Sequence, residues 1–272
     1  MAGTIYIVGT PIGNLQDFSP RAIETLKNCD FIAAEDTRVT LKLLNHFEIK
    51  KPLTSYFEHN KKFKGDVILK RILDGESCAL VTDAGMPAIS DPGMELINKC
   101  HEYGIKVVSI PGPTAFATAL SVSGMDSSRF TFEGFLPVTK KARKEHLESI
   151  KQETRTMVFY EAPHKLSNTL RDLFSHLGNR DICIVRELTK MYEETIHTTL
   201  EQATIDYPEN NLKGEIVLIV AGAKEVQAQI TLNEAIDLAN DYIEKGMSKN
   251  DAAKTVAKQT SLKKGDIYKA LL

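Results

Sequence analysis

The chain has 272 residues, of which 42% are hydrophobic and 26% are charged, a balance typical of a soluble globular protein long enough for two domains. Its 34 basic and 36 acidic residues give a formal net charge of −2, so any nucleic-acid site must come from local basic patches. The four cysteines are widely spaced without a CxxC pair, which disfavours a metal or disulfide framework and indicates reduced thiols in a cytosol. The chain does not open with a basic segment followed by a long apolar run, so no signal peptide is expected. No apolar run approaches the ~20 residues of a membrane span, so no membrane-spanning segment is expected either.

The first half of the chain alternates short apolar runs with helical patterns. A helix is predicted from Pro20 because Ser19 is a good N-cap and proline suits the first helical position. Residues 55–64 are polar, aromatic and basic and predict a surface loop, with a helix over 66–74. The alternation predicts a mostly parallel sheet that helices cover on both faces. The predicted strands are Thr4–Val8, Phe31–Ala34, Cys78–Val81 and Lys106–Ile110.

Three loops rich in glycine and proline follow the first, third and fourth of these strands, over residues 9–15 (GTPIGNL), 81–93 (VTDAGMPAISDPG) and 110–115 (IPGPTA). Glycine lets backbone amides approach a ligand closely, and proline fixes the shape of a loop. Ligands of open α/β sheets bind in the crevice at the carboxyl edge of the strands. The loops therefore predict a binding site at this edge, although loops of this composition also occur without a ligand.

Residues 122–128 contain few apolar side chains and predict a linker, which divides the chain into domains 1–124, 125–228 and 229–272. In the second domain several strands follow too closely for βαβ units, so we expect a mixed α+β domain. Its predicted helices span 140–152, which begins with the basic run KKARK, and 166–176. Its predicted strands are 130–135, 156–160, 181–186, 195–199 and 216–220.

The last segment predicts three short helices, over 232–245, 248–259 and 263–271, joined at 260–262 by a tight turn. Helices at this spacing resemble a helix-turn-helix. From Lys245 to Leu272 there are seven lysines against two aspartates, a local balance of +5. Such a basic face could hold a phosphate backbone, or its lysines could merely keep a helical appendage soluble.

Several common catalytic and nucleotide-binding motifs are missing from the sequence: GxxxxGK[ST], GxGxxG after the first strand, HExxH and GxSxG. An enzyme of this sequence must therefore build its cofactor site in another way, or position substrates without a strong nucleophile.

Six motifs occur in the order GTPIGNL, AAEDTR, VTDAGMPAISDPG, IPGPTA, FYEAPHK and KGEIVLIV. Together they resemble the tetrapyrrole-methylase superfamily of S-adenosylmethionine-dependent enzymes, over about residues 4–220. The likeness is greatest to the branch that methylates a cytidine ribose 2′-hydroxyl in bacterial 16S ribosomal RNA, and the helical tail is similar to that branch's terminal domain. The resemblance implies a two-domain α/β fold of class III methyltransferases with a small helix-turn-helix-like C-terminal segment. It also implies S-adenosylmethionine in the cleft between the domains, a homodimer, and 16S rRNA or the small ribosomal subunit as partner.

The resemblance also implies which residues hold S-adenosylmethionine. They are Pro11 closing the site, Asp83, Ala84, Gly85 and Met86 at the methionine part, Thr114 and Ala115 at the carboxylate or ribose, and Tyr160, Glu161, Ala162, Lys213 and Gly214 around the adenosine. A helix begins at Thr114, and the free amides and dipole of a helix amino terminus favour an anion.

A ribose hydroxyl is a poor nucleophile, so a base or a charge that stabilises its alkoxide would help methyl transfer. The candidate catalytic residues are Asp36, Arg38, His59 and Glu161. Arg38 could hold a phosphate as a fork or favour the ionised oxygen, and a histidine has an ordinary pKa near ~6.5, suited to a base. Each also has a structural alternative: an Arg38–Asp36 ion pair, a surface histidine, and a glutamate that holds a loop.

Two rival functions stay open on the sequence. One is an enzyme of the same fold that acts on a tetrapyrrole or on a protein side chain, against which the basic tail and the KKARK helix argue. The other is a non-catalytic RNA-binding protein, which would have no affinity for S-adenosylmethionine.

Overall fold

The computed structural model describes residues 2–209, 212–224, 231–260 and 262–272. They form two compact units, Met1–Ala223 and Lys224–Leu272. Within the described ranges, no helix combines the length and the apolar character that crossing a membrane requires. The domain boundary predicted between 228 and 229 lies outside the described residues, as does part of the predicted turn at 260–262.

The first unit begins with a five-stranded parallel sheet, which confirms the architecture predicted from the βα alternation. Its strands are β1 (Thr4–Val8), β2 (Phe31–Ala34), β3 (Leu53–Ser55), β4 (Cys78–Val81) and β5 (Lys106–Ile110), in the order β3-β2-β4-β1-β5. The helices are α1 (Pro20–Asn28), α2 (Thr37–His46), α3 (Lys61–Leu73), α4 (Met94–Glu102) and α5 (Ala115–Val122). The loop predicted over 55–64 was wrong at both ends, because Ser55 ends β3 and residues 61–64 form the first turn of α3.

Alternate residues of the buried strands pack on opposite faces of this sheet. Phe31 packs with the core that includes Ile68 of α3 and Leu96 of α4, whereas its neighbour Ile32 packs with Leu26 of α1 and others on the other side. Ser19 caps α1 by accepting a hydrogen bond from the Ala22 amide, as its sequence position predicts. Helices therefore cover both faces, and the carboxyl ends of the strands are left to their loops.

The second sheet of the same unit is mixed, as predicted for an α+β arrangement. Its strands are β6 (Phe130–Phe135), β7 (Thr156–Glu161), β8 (Asp181–Arg186), β9 (Glu194–Thr199) and β10 (Ile216–Val220), in the order β6-β7-β10-β8-β9. Only the β6–β7 pair is parallel among the described pairs. Although β10 comes last in the chain, it lies between β7 and β8 and is buried throughout.

The two faces of the second sheet pack against different helices. One face is covered by α6 (Lys140–Ser149), α7 (Leu166–Leu177) and α8 (Leu200–Asp206). The other face packs on α5, where Ala119 and Leu120 lie in one core with Val158 and Ile219. Helix α5 follows β5 of the first sheet, so this packing joins both sheets into one unit and sets their edges beside each other.

The second unit consists of α9 (Leu232–Glu244), α10 (Lys249–Gln259) and α11 (Lys264–Ala270), close to the three helices predicted. Thr231 and Glu234 form a capping box at the start of α9, and Ser248 caps α10 through the Asp251 amide. Small apolar residues such as Ala239 and Ala252 form its core with larger ones such as Val256, Ile267 and Leu271.

Candidate active site

The three predicted loops are joined by backbone hydrogen bonds at the carboxyl edge of the first sheet. The Gly9 amide donates to the Ile110 carbonyl at 3.1 Å. Thr10 and Gly85 exchange two backbone bonds, of 2.9 and 3.1 Å, and the Thr10 hydroxyl donates to the Thr82 carbonyl at 3.1 Å. The loops after β1, β4 and β5 thus form one connected structure.

Glycine is required where the first and third loops cross. A Cβ atom on Gly112 would lie 2.8 Å from the Gly9 Cα, and one on Gly9 would lie 2.7 Å from the Gly112 Cα. Since both contacts are with backbone, a side chain at either position would push the loops apart. Gly85 adopts φ +86°, a left-handed conformation that glycine favours.

A cavity of about 380 Å³ lies between these loops and the edge of the second sheet. This volume falls within the range of small-molecule and cofactor sites. The Tyr160 hydroxyl on β7 accepts a hydrogen bond from the Phe116 amide at 3.1 Å, which holds β7 against the start of α5. The ring of Phe135 packs edge-on against Tyr160, with 5.6 Å between the ring centroids. Both halves of the first unit therefore contribute walls to one cavity.

One wall of the cavity carries three carboxyl groups, from Glu35, Asp83 and Asp91. Burial raises the pKa of Asp83, the Asp36 amide partly offsets this, and the nearby charges of Glu35, Asp36 and Asp91 raise the pKa further. Burial also raises the pKa of Asp91, and the nearby charge of Glu35 raises it further. The Glu35 carboxylate accepts from the Thr82 hydroxyl. Negative charge concentrated on one wall suits a ligand with a positive charge.

Most of the residues predicted to bind a cofactor line this cavity. They are Asp83, Ala84, Gly85, Met86, Thr114, Ala115, Tyr160, Glu161 and Ala162. The other three predicted residues, Pro11, Lys213 and Gly214, are not among the described residues of the wall. Residues close to them in the chain, Ile12, Glu215 and Ile216, line the cavity instead.

Contacts of the neighbouring loop account for the position of Gly214. It has φ +93°, and a Cβ there would meet the carboxylate of Glu187. Glu187 in turn accepts a hydrogen bond from the Glu215 amide at 3.0 Å and pairs with Lys190 at 2.7 Å. This network fixes the loop that follows β8, whose residue Leu188 reaches the cavity.

Asp36 and Arg38 are not among the described residues that line the cavity, but Asp36 contacts Asp83, which does. Asp36 caps α2, and its backbone amide donates to Asp83 Oδ1 at 3.1 Å. The Arg38 guanidinium, 87% exposed, binds both carboxylate oxygens of Asp36, and its hydrogen bonds lower the pKa of Asp36 to about 2. Asp36 is therefore a weak base, while the exposed Arg38 can still turn toward a ligand.

The other two predicted catalytic residues differ in position. Glu161 lies at the cavity and is buried, with its carboxylate accepting from the Ala162 amide at 2.8 Å and from the Thr169 hydroxyl. His59 is exposed in the turn between β3 and α3, beside the ring of Phe57, and is not among the described cavity residues.

Sequence reasoning did not single out several residues of the cavity wall. Glu35 and Asp91 lie inside motifs already identified, so their carboxylates were a usable signal. Phe135 and Leu188 had none, since only the tertiary fold brings them to the loops of the first sheet. Among the described residues, those of this kind are Ile12, Glu35, Thr82, Ile89, Ser90, Asp91, Phe135, Pro163, Leu188, Glu215, Ile216 and Val217.

Comparison with known proteins gives consistent results. The family described as Tetrapyrrole (Corrin/Porphyrin) Methylases matches residues 4–204. A "Ribosomal RNA small subunit methyltransferase I" of Halalkalibacterium halodurans is 48% identical over 270 residues, covering 98% of this chain and 93% of that protein. A protein of the same name from Thermotoga maritima is 46% identical over 220 residues, covering 81% of this chain and 99% of its own. Among solved structures, a uroporphyrin-III C-methyltransferase of Thermus thermophilus complexed with S-adenyl homocysteine has a TM-score of 0.58 and 17% identity, over 80% of this chain and 97% of that one.

Proposed function

The chain belongs to the tetrapyrrole (corrin/porphyrin) methylase family, and from this premise we propose that it methylates the 2′-hydroxyl of a cytidine in 16S ribosomal RNA. The chain is an S-adenosylmethionine-dependent methyltransferase, as its six motifs predicted. The observation that supports RNA as the substrate is the 48% sequence identity, over 98% of the chain, with a protein named as a small-subunit rRNA methyltransferase. We further propose a homodimer that works in the cytoplasm.

Bound S-adenosylmethionine supplies an activated methyl group on a positively charged sulfur. The carboxylates of Glu35, Asp83 and Asp91 favour a cation in the cavity. Thr114 and Ala115 lie at the start of α5, where a helix amino terminus favours the carboxylate of the cofactor. The chain's main task is then to align the acceptor oxygen with the methyl group.

Asp83 is our candidate to accept the proton of the ribose hydroxyl. Its raised pKa makes it a stronger base than Asp36, whose pKa is about 2. Glu161 is already engaged by Ala162 and Thr169 and is better suited to hold the loop after β7. Arg38, exposed at the rim, remains our candidate to bind an RNA phosphate.

The first unit is proposed to contain the whole methyl-transfer site. The residues that line the cavity all belong to Met1–Ala223, and the family match ends at residue 204. The relative from Thermotoga maritima, with the same printed name, aligns almost completely with 81% of this chain. The helical second unit would then add RNA affinity through its lysines rather than catalysis.

Transfer of a labelled methyl group tests the proposal directly. The protein is incubated with methyl-labelled S-adenosylmethionine and either purified small-subunit rRNA or assembled small subunits, and the RNA is digested to nucleosides. Label in 2′-O-methylcytidine is expected. Label that stays out of both RNA substrates but enters a tetrapyrrole would refute the RNA assignment, and absence of S-adenosylmethionine binding in calorimetry would refute enzymatic function altogether.

A further inference from the structure

A second cavity, of about 630 Å³, lies between α6 and α7 on the helix-covered face of the second sheet. We call it the basic cleft because most of its polar residues are cationic. Its lining residues are Leu136, Val138, Lys140, Arg143, Lys144, Leu147, Lys165, Asn168, Arg171, Asp172 and His176.

The cleft keeps an excess of positive charge after its internal contacts are counted. Among its described lining residues the one carboxylate is that of Asp172, which Arg143 binds at 2.6 Å. Lys140, Lys144 and Lys165 are exposed and have no ion-pair partner in the described part of the chain. Three unneutralised ammonium groups around one groove provide the charge that attracts a polyanion.

The basic cleft and the cofactor cavity meet at the ends of the same two elements. At the end of β6, Phe135 lines the cofactor cavity and the next residue, Leu136, lines the basic cleft. In the turn after β7, Pro163 lines the cavity and Lys165 lines the cleft. Phe135 and Leu136 are adjacent in the chain, with Cα atoms about 3.8 Å apart, so a nucleic-acid strand with one nucleotide in the cavity passes near the wall of the cleft.

We propose that the basic cleft binds the phosphodiester backbone of the RNA strand whose ribose enters the cofactor cavity. The inference rests on the proposed function for the identity of the polyanion. The lysines contact phosphates and so set affinity and register without reading the sequence. The KKARK run that begins α6 thereby acquires a function, together with Lys165, which the sequence does not link to it.

The test compares two triple variants of the full-length protein. The cleft variant carries Lys140→Gln, Lys144→Gln and Lys165→Gln. The control carries the same change at three exposed lysines of the first sheet and its helices, which likewise have no ion-pair partner within the described residues and line neither cavity: Lys27, Lys70 and Lys106. Binding of labelled small-subunit rRNA is measured over a salt series with S-adenosylhomocysteine present.

The cleft variant should show a shallower dependence of log affinity on log salt. Each lost phosphate contact removes roughly 0.7 to 0.9 from the slope, so three contacts reduce it by about 2 to 3. The control should keep the wild-type slope, and both variants should bind S-adenosylmethionine as the wild type does. If the triple variant fails to bind the cofactor, the single variant Lys144→Gln replaces it, with an expected reduction of about 0.7 to 0.9.

A cleft variant with the slope and affinity of the control would overturn the inference. So would a variant that loses affinity for assembled subunits but not for protein-free rRNA, because the cleft would then recognise a ribosomal protein. The proposed function fails separately: wild-type protein that binds rRNA with the steeper slope yet transfers no methyl group to it would keep the cleft and remove the methylation assignment.

Discussion

Replacing Gly112 with alanine should destabilise the first unit because the new Cβ meets the backbone of the first loop. It would lie 2.8 Å from the Gly9 Cα and 2.9 Å from the Gly9 carbonyl oxygen. Carbon atoms pack comfortably at about 3.5 to 4.0 Å, so the two loops must separate by roughly 0.7 to 1.2 Å. Overpacking of this kind costs about 1 to 3 kcal/mol. At about 2 to 4 °C per kcal/mol for a unit of this size, the melting temperature should fall by roughly 2 to 12 °C.

The same substitution should weaken cofactor binding more than stability alone explains. Moving the third loop displaces Thr114 and Ala115, and moving the first loop disturbs the paired backbone bonds between Thr10 and Gly85. A misplacement near 1 Å costs on the order of 10²-fold in turnover. We therefore expect Gly112→Ala to bind S-adenosylmethionine at least about tenfold more weakly and to lose methyl transfer to a greater extent.

Thermal unfolding and calorimetric titration with S-adenosylmethionine measure both effects, with Gly65→Ala as the matched control. Gly65 lies inside α3, where an added Cβ would meet only Tyr56 Cε2 at 3.6 Å, an ordinary contact. Since alanine is favoured over glycine in a helix by about 0.5 to 1 kcal/mol, the control should be at least as stable as the wild type. Equal melting temperatures and equal affinities for the two variants would refute the argument from close approach.

Three further predictions concern charge and the helical unit. Arg38→Ala should keep the melting temperature and cofactor affinity, since the Arg38 side chain is exposed and its ion pair with Asp36 contributes little in solvent. Methyl transfer to small-subunit rRNA should fall at least about tenfold for one lost charged contact to the substrate, and unchanged transfer would remove Arg38 from the mechanism. Asp83→Asn should raise the free energy of unfolding at neutral pH, because the raised pKa of Asp83 means that its ionisation disfavours the folded wild-type protein. In urea titrations the difference in stability between variant and wild type should shrink as pH falls through this raised pKa. It should vanish below the ordinary pKa of 3.8, where the carboxyl is neutral in both the folded and the unfolded state. The same variant should lose methyl transfer if Asp83 accepts the proton. Deletion of residues 231–272 should leave cofactor binding intact and flatten the salt dependence of rRNA binding, and an identical salt slope would make these helices purely structural.

Strands β2 and β4 were readable from the sequence because they are buried on both faces and therefore appear as short apolar runs between helical patterns. Strand β3 gave no such signal, since its three residues are only partly buried. The first turn of α3 has the composition of a loop, because Lys61, Lys62 and Lys64 are not buried and the hydrophobic periodicity of the helix begins only in the following turns. Polar first turns of this kind carry little hydrophobic periodicity.

The candidate site was predictable to the extent that it is built from loops that follow strands. Asp83 and Thr114 come together because parallel strands end at one edge, a rule that needs no coordinates. The second half of the wall follows no comparable rule. Whether Gly214 or Ile216 faces the cavity depends on a left-handed backbone and on the ionic contacts of Lys190 with Glu187 and Glu215, none of which leaves a pattern in the sequence.

The central place of β10 in the second sheet has a consequence for how the protein is made. Until β10 leaves the ribosome, β7 and β8 lack the strand that joins them, and the part of the cavity wall that Ile216 and Val217 form does not exist. Domains generally fold from the amino terminus during synthesis. The parallel sheet can therefore form early, whereas the cavity can form only after nearly all of the first unit has been translated. Premature termination upstream of residue 216 would thus yield fragments in which the first sheet can fold but the cavity lacks part of its wall.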